Sequence, residues 1–281
     1  MHVCLSRIAR CRLLAGLALT LSLIASAWAE EFPAKGKAVP LFNGKDLTGW
    51  YTYTVETGRE NPGIFTVVDG MLKVAGGKGD TSYFGGIVTK ESYGNYYLSF
   101  EYKWGEPTYG RRKDKARDSG VLLHCVGPNE PGPWMTSYEL QIIEGGTGDL
   151  LVVNATKQDD AGKPIDLSVT AEAVMQGSQR VYQPGAKPMT WTNSGRLNWY
   201  GRDPEWKDVV GFRGRQDVES PFGEWTKVEC YAQGDRVIYL VNGKVVNRAS
   251  GLSLTKGKIF FQTEGAEMYL RNILLAPLES K

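Results

Sequence analysis

Apolar and polar residues alternate along much of the chain from Phe65 onward, which is the period of a strand with one buried face. In the segment 96–104 every second residue is aromatic or leucine. No long segment has the spacing of an amphipathic helix, although 171–175 could form one short helical turn. Further strands are predicted over the segments 119–126, 137–143, 226–232, 237–246, 258–262 and 267–276.

Turn residues separate these strands at the expected places. Asp69-Gly70 and Asn242-Gly243 each join two β-rich runs, a strong signal for a hairpin with a tight primed turn. Strands without intervening helices predict an all-β fold, an antiparallel β-sandwich. The long polar segment 154–223 is expected to form loops that wall a cleft.

The N-terminus has the pattern of a secretory signal peptide. Arg7, Arg10 and Arg12 precede an apolar stretch over 13–25, and a small-x-small cleavage site follows at 27–29. The apolar stretch is shorter than the ~20 residues that span a bilayer, so no membrane span is expected after cleavage. The sequence therefore predicts a signal peptide at 1–29 and a single domain at 30–281, in a periplasmic or secreted protein.

Export changes the charge balance. The chain has 33 Lys and Arg against 31 Asp and Glu, but three of the arginines lie in the signal. The mature domain then has 30 basic against 31 acidic residues, which argues against a nucleic-acid partner and suits a neutral carbohydrate. His124 is its one histidine, which excludes a multi-histidine zinc site. Cys125 and Cys230 lie in apolar runs, so buried thiols are favoured over a disulfide.

A polar pattern at 138–144 is the main candidate for chemistry. On a strand Glu139 and Gln141 face the same side, and a β-bulge would bring Glu144 to that side. The pattern resembles the Glu-x-Asp-x-x-Glu signature of laminarinase-type glycosidases, whose close carboxyl pair acts as nucleophile and acid/base. Gln141 replaces the middle Asp, which removes a charge that would tune the pair. The alternative interpretation is an ordinary polar strand face.

His124 is the second candidate, because histidine transfers protons near neutral pH. Alternation in 119–126 places Val121, Leu123 and Cys125 toward the core and His124 on the opposite face. If this strand lies beside 137–143, His124 and Glu139 would share one cavity. The alternative is a histidine held by structural hydrogen bonds.

Other polar and aromatic residues complete the candidate site. Gln262 and Glu264 alternate on one side of a strand, and the loop tryptophans Trp134 and Trp199 could stack on sugar faces or close the core. A divalent metal at the carboxylates is a further hypothesis, although no ligand spacing shows one and no cofactor is certain. The basic run at 111–117 is interpreted as a solvated loop without function.

Several motifs resemble the 3-keto-disaccharide hydrolase domain family. The most specific is the string Leu-Phe-Asn-Gly-Lys-Asp-Leu-Thr-Gly-Trp at 41–50, and others follow in the expected order at 69–72, 118–123, 138–142, 223–225, 241–243 and 269–273. The resemblance implies a concanavalin A-like (jelly roll) sandwich and hydrolysis of glycosides whose sugar carries a 3-ketone. Family members often have Arg in place of His124 and His in place of Glu264.

The implied chemistry begins at the ketone, which acidifies the C2 proton. A base removes this proton, the C1 substituent leaves, and water adds across the double bond. We expect Glu139 or His124 to be the base and the other the acid, with Gln141 orienting the substrate and Glu264 assisting or binding a cation. Glu144 and Gln262 are expected to contact the substrate. Two alternatives remain open: a carbohydrate-binding module without catalysis, and a conventional retaining glucanase that uses Glu139 and Glu144.

Overall fold

Strands form most of the computed structural model, which describes residues 32–279; the expected signal peptide at 1–29 lies outside them. Residues 33–279 belong to one compact unit. One short 3-10 helix is described, at Gly110–Arg112. The strands in chain order are β1 (Val39–Pro40), β2 (Trp50–Thr54), β3 (Phe65–Val68), β4 (Met71–Val74), β5 (Gly77–Lys78), β6 (Thr81–Ser82), β7 (Phe84–Thr89), β8 (Tyr93–Gly94), β9 (Tyr96–Thr108), β10 (Asp118–Val126), β11 (Thr136–Ile143), β12 (Leu150–Val153), β13 (Ser168–Gln176), β14 (Gln179–Tyr182), β15 (Pro188–Thr192), β16 (Ser194–Asn198), β17 (Thr226–Gln233), β18 (Arg236–Val241), β19 (Lys244–Ala249), β20 (Lys256–Glu264) and β21 (Ala266–Pro277).

Two large sheets contain nearly all of these strands. The back sheet has the order β19-β18-β17-β9-β21-β4-β3, with β1 paired to β21. The front sheet has the order β15-β13-β14-β16-β12-β11-β10-β20-β7-β2, with β8 paired to β20. Pairing is antiparallel except between β14 and β16. The predicted all-β antiparallel sandwich is therefore confirmed.

The main hydrophobic core lies between the two sheets. Phe100 on β9 and Phe261 on β20 meet across it with ring centroids 5.1 Å apart. Val121 and Leu123 of β10 point into the same core, as alternation predicts. Their neighbour Leu122 points to the other side of the front sheet, which we call its outer face. A second, smaller apolar cluster lies there, formed by Val88, Leu122, Cys125, Met135 and Phe260.

The two predicted hairpin turns are present. Asp69 and Asn242 have φ values of 50° and 48°, and the glycines that follow them have φ of 78°. Positive φ at both central residues is the requirement of a primed turn, which explains the Asp-Gly and Asn-Gly choices.

The prediction for 154–223 is only partly right. Strands β13 to β16 lie inside this segment, and Ala171–Met175, read as a turn of helix, is part of β13. Burial in β13 alternates strictly over its first seven residues, a period-two pattern that the polar composition concealed. Irregular stretches remain at 154–167 and 199–225, and Trp206 and Gly211 of the second stretch form hydrogen bonds with Glu144. In the described residues no helix has the length and apolar character needed to cross a bilayer.

Candidate active site

The register of three neighbouring strands brings the predicted polar residues together. Strand β10 lies between β11 and β20, and Leu122 is opposite both Glu139 and Phe260. Because residues opposite each other share a face, Glu139 lies on the outer face with Leu122. Gln141, Gln262 and Glu264 follow the same alternation. The structure therefore places Glu139, Gln141, Gln262 and Glu264 on one face.

Gly120 makes room for the centre of this site. It lies on β10 opposite Gln141, and a Cβ atom there would come closer than 3.0 Å to Oε1 of both Glu139 and Gln262. Real Cβ atoms essentially never approach other atoms so closely. The missing side chain thus lets Glu139 and Gln262 meet over the strand that separates them.

A chain of hydrogen bonds links Asp118 to two arginines. Gln141 Nε2 donates to Asp118 Oδ1 at 2.8 Å, and Arg196 Nη2 donates to Gln141 Oε1 at 2.7 Å. Arg112 Nη2 lies 3.3 Å from Asp118 Oδ2. This network fixes the side chain of Asp118. We call Asp118, Glu139 and Glu264 together the carboxyl cluster.

Both arginines also form ion pairs with carboxylates outside this chain of hydrogen bonds. Arg112 forms two hydrogen bonds with Asp208, of 3.0 and 3.2 Å. Arg196 Nε lies 3.1 Å from Asp149 Oδ2, and Asp149 is fully buried. The positive charge near Asp118, Glu139 and Glu264 is therefore shared, and it cannot balance three ionised carboxylates as well.

The three carboxyl groups consequently hold protons more tightly than usual. Burial, followed by the charge of Asp118, raises the pKa of Glu139 to about 8. Burial also raises the pKa of Asp118, to about 6, because the nearby Arg112 and Arg196 offset only part of it. The pKa of Glu264 is raised well above its ordinary value by burial and by the other two carboxyl groups.

The carboxyl cluster does not have the arrangement of a metal site. Among residues 32–279 no group of three His, Cys, Asp or Glu side chains is placed to hold a metal ion. The oxygens of Asp118 are instead directed at an amide and a guanidinium.

The expectation that His124 shares a cavity with Glu139 is wrong. The register of β10 shifts between Leu123 and Val126, where His124 has φ of 55°. This bulge turns His124 into the core, where it is fully buried and meets Tyr96 of the back sheet edge-on. Cys125 is turned to the outer face instead. Alternation fails here because one extra residue reverses the sides.

The surroundings of His124 fit a structural role. Its Nδ1 donates to the Leu254 carbonyl oxygen at 2.9 Å, while Nε2 is buried without a hydrogen-bond partner. Burial lowers the pKa of His124 to about 4, so the ring is neutral near neutral pH. Cys125 and Cys230 are both free, buried thiols.

Glu144 also does not join the site. The register of β11 with β10 is continuous from Ile143 to Tyr138, so the bulge that would have turned Glu144 toward Glu139 is absent from this pair. Its Oε1 accepts a hydrogen bond of 2.6 Å from Arg117, and its Oε2 accepts from the backbone N–H groups of Arg117 and Gly211. Glu144 therefore ties the segment 199–225 to the sheet.

The two predicted sugar-stacking tryptophans lie in different environments. Trp134 is half-buried and packs against the outer-face cluster, with its ring centroid 6.1 Å from that of Phe260. Trp199 is only 1% exposed and belongs to the main core, so the prediction that it stacks on substrate is wrong. Tryptophan closing the core was the alternative, and it applies to Trp199.

Three members of the site were missed at the sequence level. Asp118 precedes an apolar run and resembles an ordinary strand start. Arg112 lies in the basic run interpreted as a solvated loop, yet its side chain is 17% exposed and reaches Asp118. Arg196 lies in a polar segment without a strand signal. One clue was present: Asp118 opens a motif shared with the family named above.

Comparison with known proteins places the chain among carbohydrate-related domains. A model of the 3-keto-alpha-glucoside-1,2-lyase-like domain matches residues 37–276. No curated protein matches significantly.

Several solved structures are similar to the chain at low sequence identity. A candidate glycosyl hydrolase from Parabacteroides distasonis is 22% identical over 86% of this chain and 94% of its own, with a TM-score of 0.48. A beta-glucanase from Bacillus licheniformis is 12% identical over 87% and 99%, with a TM-score of 0.44. A carbohydrate binding module from Bacillus subtilis is 10% identical over 82% and 96%, with a TM-score of 0.43.

Proposed function

The chain belongs to the 3-keto-alpha-glucoside-1,2-lyase-like domain family, and from this premise we propose that it cleaves 3-keto-glycosides by elimination and hydration. A base removes the C2 proton, the C1–O bond breaks, and the departing oxygen takes a proton. Water then adds its hydroxyl group to C1 and a proton to C2. The reaction needs a base, an acid and a donor for the enolate oxygen.

The assignment of roles rests on two neighbouring carboxyl groups, Asp118 and Glu139, whose pKa values burial and mutual charge set on opposite sides of neutral. Asp118, with a pKa of about 6, is ionised near neutral pH and acts as the base. Glu139, with a pKa of about 8, is protonated and acts as the acid. Groups whose environments separate their pKa values are the expected acid–base pair. Asp118 thus takes the role that His124 would have shared with Glu139.

Arg112 supplies the third requirement. It contacts Asp118, and its Nε is buried without a hydrogen-bond partner in the described structure. In the proposed reaction this N–H group receives the enolate oxygen that forms at C3, next to the base. A preorganised donor of this kind stabilises the transition state more than the ground state. Glu264, which is half-buried on the same face, assists substrate binding in this proposal.

The alternative of a conventional glucanase requires Glu144 as a second catalytic carboxylate beside Glu139. Both oxygens of Glu144 accept hydrogen bonds from Arg117 or from backbone N–H groups, and neither faces Glu139. A retaining mechanism needs two carboxyl groups about 5–5.5 Å apart across the scissile bond. Nothing in the surroundings of Glu144 favours that role.

The test is to follow a glucoside and its 3-keto derivative separately by NMR in deuterium oxide. We expect cleavage of the keto compound alone, with one deuterium incorporated at C2 of the released sugar, faster than in an enzyme-free control. Glu139→Gln and Asp118→Asn should lose this activity. Glu229→Gln, a matched change of a carboxylate on the back sheet, should keep it.

Three outcomes would reject the proposal. Cleavage of the plain glucoside without deuterium at C2 would indicate a conventional glycosidase. Binding of both compounds without cleavage would indicate a carbohydrate-binding module. Cleavage of the keto compound that survives in both Glu139→Gln and Asp118→Asn would mean that the reaction takes place elsewhere.

We also propose that the domain works in the periplasm or outside the cell. This proposal rests on the signal pattern at 1–29 alone. Mass spectrometry of the protein from an expressing bacterium should find a mature chain that begins at Glu30. An intact N-terminus in the cytoplasmic fraction would contradict it.

A further inference from the structure

Gln262 has a buried acceptor that nothing in the described structure satisfies. Its side chain lies at the centre of the carboxyl cluster, the residue is 1% exposed, and its Oε1 has no hydrogen-bond partner. Leaving a buried carbonyl oxygen without a donor costs about 1–3 kcal/mol. A donor for Gln262 Oε1 is therefore to be expected nearby.

The nearest candidate is the carboxyl group of Glu139. Oε1 of Glu139 and Oε1 of Gln262 both lie closer than 3.0 Å to the point above Gly120 where a Cβ would stand. Two acceptors facing each other in a buried site repel unless one carries a hydrogen. The Gln262 side chain is also within hydrogen-bonding reach of the Glu139 carboxyl group, where an N–H that donates to the carboxylate lowers the pKa of Glu139. An amide and a carboxylic acid can form two bonds at once, but only when the acid is protonated.

We propose that Gln262 holds Glu139 in its protonated form through an acid–amide pair. The Glu139 O–H donates to Gln262 Oε1, and the Gln262 N–H donates to the other carboxyl oxygen. Both polar atoms of the amide are then satisfied. With the amide oxygen and nitrogen exchanged, Gln262 would instead donate a single hydrogen bond to an ionised Glu139, which lowers the pKa of Glu139; a titration of Glu139 distinguishes the two arrangements.

The charged groups around the pair support this state. Asp118 and Asp149 disfavour ionisation of Glu139, and Arg196 favours it. Glu264 adds a further carboxyl group, and Tyr239, packed from the core side, interacts with the charge of Glu139. Arg112 and Arg202 pair with Asp118 and Asp149 and so offset part of this effect, but burial together with the carboxyl groups still favours the neutral acid.

The pair gives Gln262 a positioning role that rests on the proposed function. It keeps Glu139 protonated and correctly oriented until the departing oxygen takes the proton. The amide N–H then stabilises the carboxylate that remains, since hydrogen bonding to a charged form favours that form. Gln262 needs no direct contact with substrate for this role.

The sign of a pKa change tests the pair without any substrate. Protein labelled with carbon-13 at the glutamate carboxyl groups is titrated by NMR, and Glu139→Gln identifies the Glu139 signal by its loss. In Gln262→Met, protonated Glu139 loses two hydrogen bonds to the amide, whereas ionised Glu139 loses only one. We expect the pKa of Glu139 to fall by about one unit, which corresponds to one net hydrogen bond. Gln262→Leu should give the same direction and serves if the Met variant does not fold.

Gln141→Met is the matched control. Gln141 donates Nε2 to Asp118 and accepts from Arg196, so it only stabilises the ionised form of its neighbour. Its loss should raise the pKa of Asp118, measured in the same way with labelled aspartate. The two glutamines of one face are thus predicted to act in opposite directions.

A rise or no change in the pKa of Glu139 in both Gln262 variants would overturn the pair. A Gln262 that only donates to an ionised Glu139 lowers its pKa, and its removal would raise it. Because the titration requires no turnover, the pair can fail while the keto-glycoside is still cleaved. Equally, the pair can hold in a protein that cleaves nothing.

Discussion

Glu139 and Glu144 allow a direct comparison, because they are the same residue type in the middle of β11 and directly after its end. They are 4% and 5% exposed, so burial does not distinguish them. Glu144 receives the Arg117 guanidinium and two backbone N–H groups. Glu139 receives one amide and faces other carboxyl groups. Equal burial therefore has two results. The paired charge of Glu144 holds the structure together, whereas Glu139, whose charge is not paired, becomes a titrating acid.

The largest expected effect is the loss of turnover when Glu139, the glutamate without a compensating charge, is changed. Glu139→Gln keeps the shape of the side chain but removes its acidic proton, and general acid catalysis contributes about 10²–10⁴-fold. We expect the rate of keto-glycoside cleavage to fall by about 10³-fold. Steady-state kinetics would show the loss in kcat, and a change confined to KM would contradict an acid role.

The same substitution at Glu144, whose charge is paired with Arg117, should lower stability instead of turnover. Glu144→Gln leaves Arg117 buried without its carboxylate, a change that typically costs 3–5 kcal/mol. Urea denaturation should show a free energy of unfolding lower by about 3 kcal/mol. If Glu144→Gln is as stable as the parent and catalytically dead, the roles of the two glutamates have been reversed here.

Gly120→Ala sharpens the comparison from the neighbouring strand. The added Cβ would collide with Oε1 of both Glu139 and Gln262, and a displacement near 1 Å in an active site can cost about 10²-fold. We expect a loss of turnover of that order while Glu144 and its partners are unaffected. Gly132→Ala is the control, since nothing lies within 4 Å of its Cβ position. Normal activity in Gly120→Ala would show that the cluster is not the site.

The smallest effect on activity is expected from the residue that alternation misplaced. His124→Asn keeps a side chain that tolerates positive φ and can donate to the Leu254 carbonyl oxygen. We expect unchanged kcat and a stability loss of about 1 kcal/mol. The folded-state pKa of His124 is lowered to about 4, so its neutral form stabilises the protein above the ordinary 6.5 and this contribution is lost as the pH falls toward 4. The variant should therefore unfold less steeply in acid; a large loss of kcat would restore His124 to catalysis.

Alternation alone was enough to place four site residues. Glu139, Gln141, Gln262 and Glu264 lie in regular stretches of β11 and β20, where a period of two decides the face. The hairpin turns followed from Asp-Gly and Asn-Gly for an equally local reason. These features need only the residue and its immediate neighbours.

The errors concern features that depend on distant partners. The bulge at His124 has no residue such as glycine to mark it, and the bulge that Glu144 required did not form. Arg112 was interpreted as solvated because its partners Asp118 and Asp208 are brought to it only by the fold. For Trp199 the sequence allowed both sugar stacking and core closure, and the fold decides for the core, which Trp199 enters directly after β16. A single sequence does not contain these contacts.

The central claim is that Glu139 is buried as an uncompensated acid, and the pH dependence of unfolding tests it most directly. Its folded-state pKa of about 8 lies above the ordinary 4.5, so its contribution to stability is present below 4.5 and is lost as the pH rises through 8. The account predicts that Glu139→Gln gains stability relative to the parent protein between these pH values and keeps the gain above them, while Glu144→Gln loses stability at neutral pH. A Glu139→Gln variant that is less stable than the parent at high pH would show that Glu139 is a paired charge like Glu144, and would contradict the account.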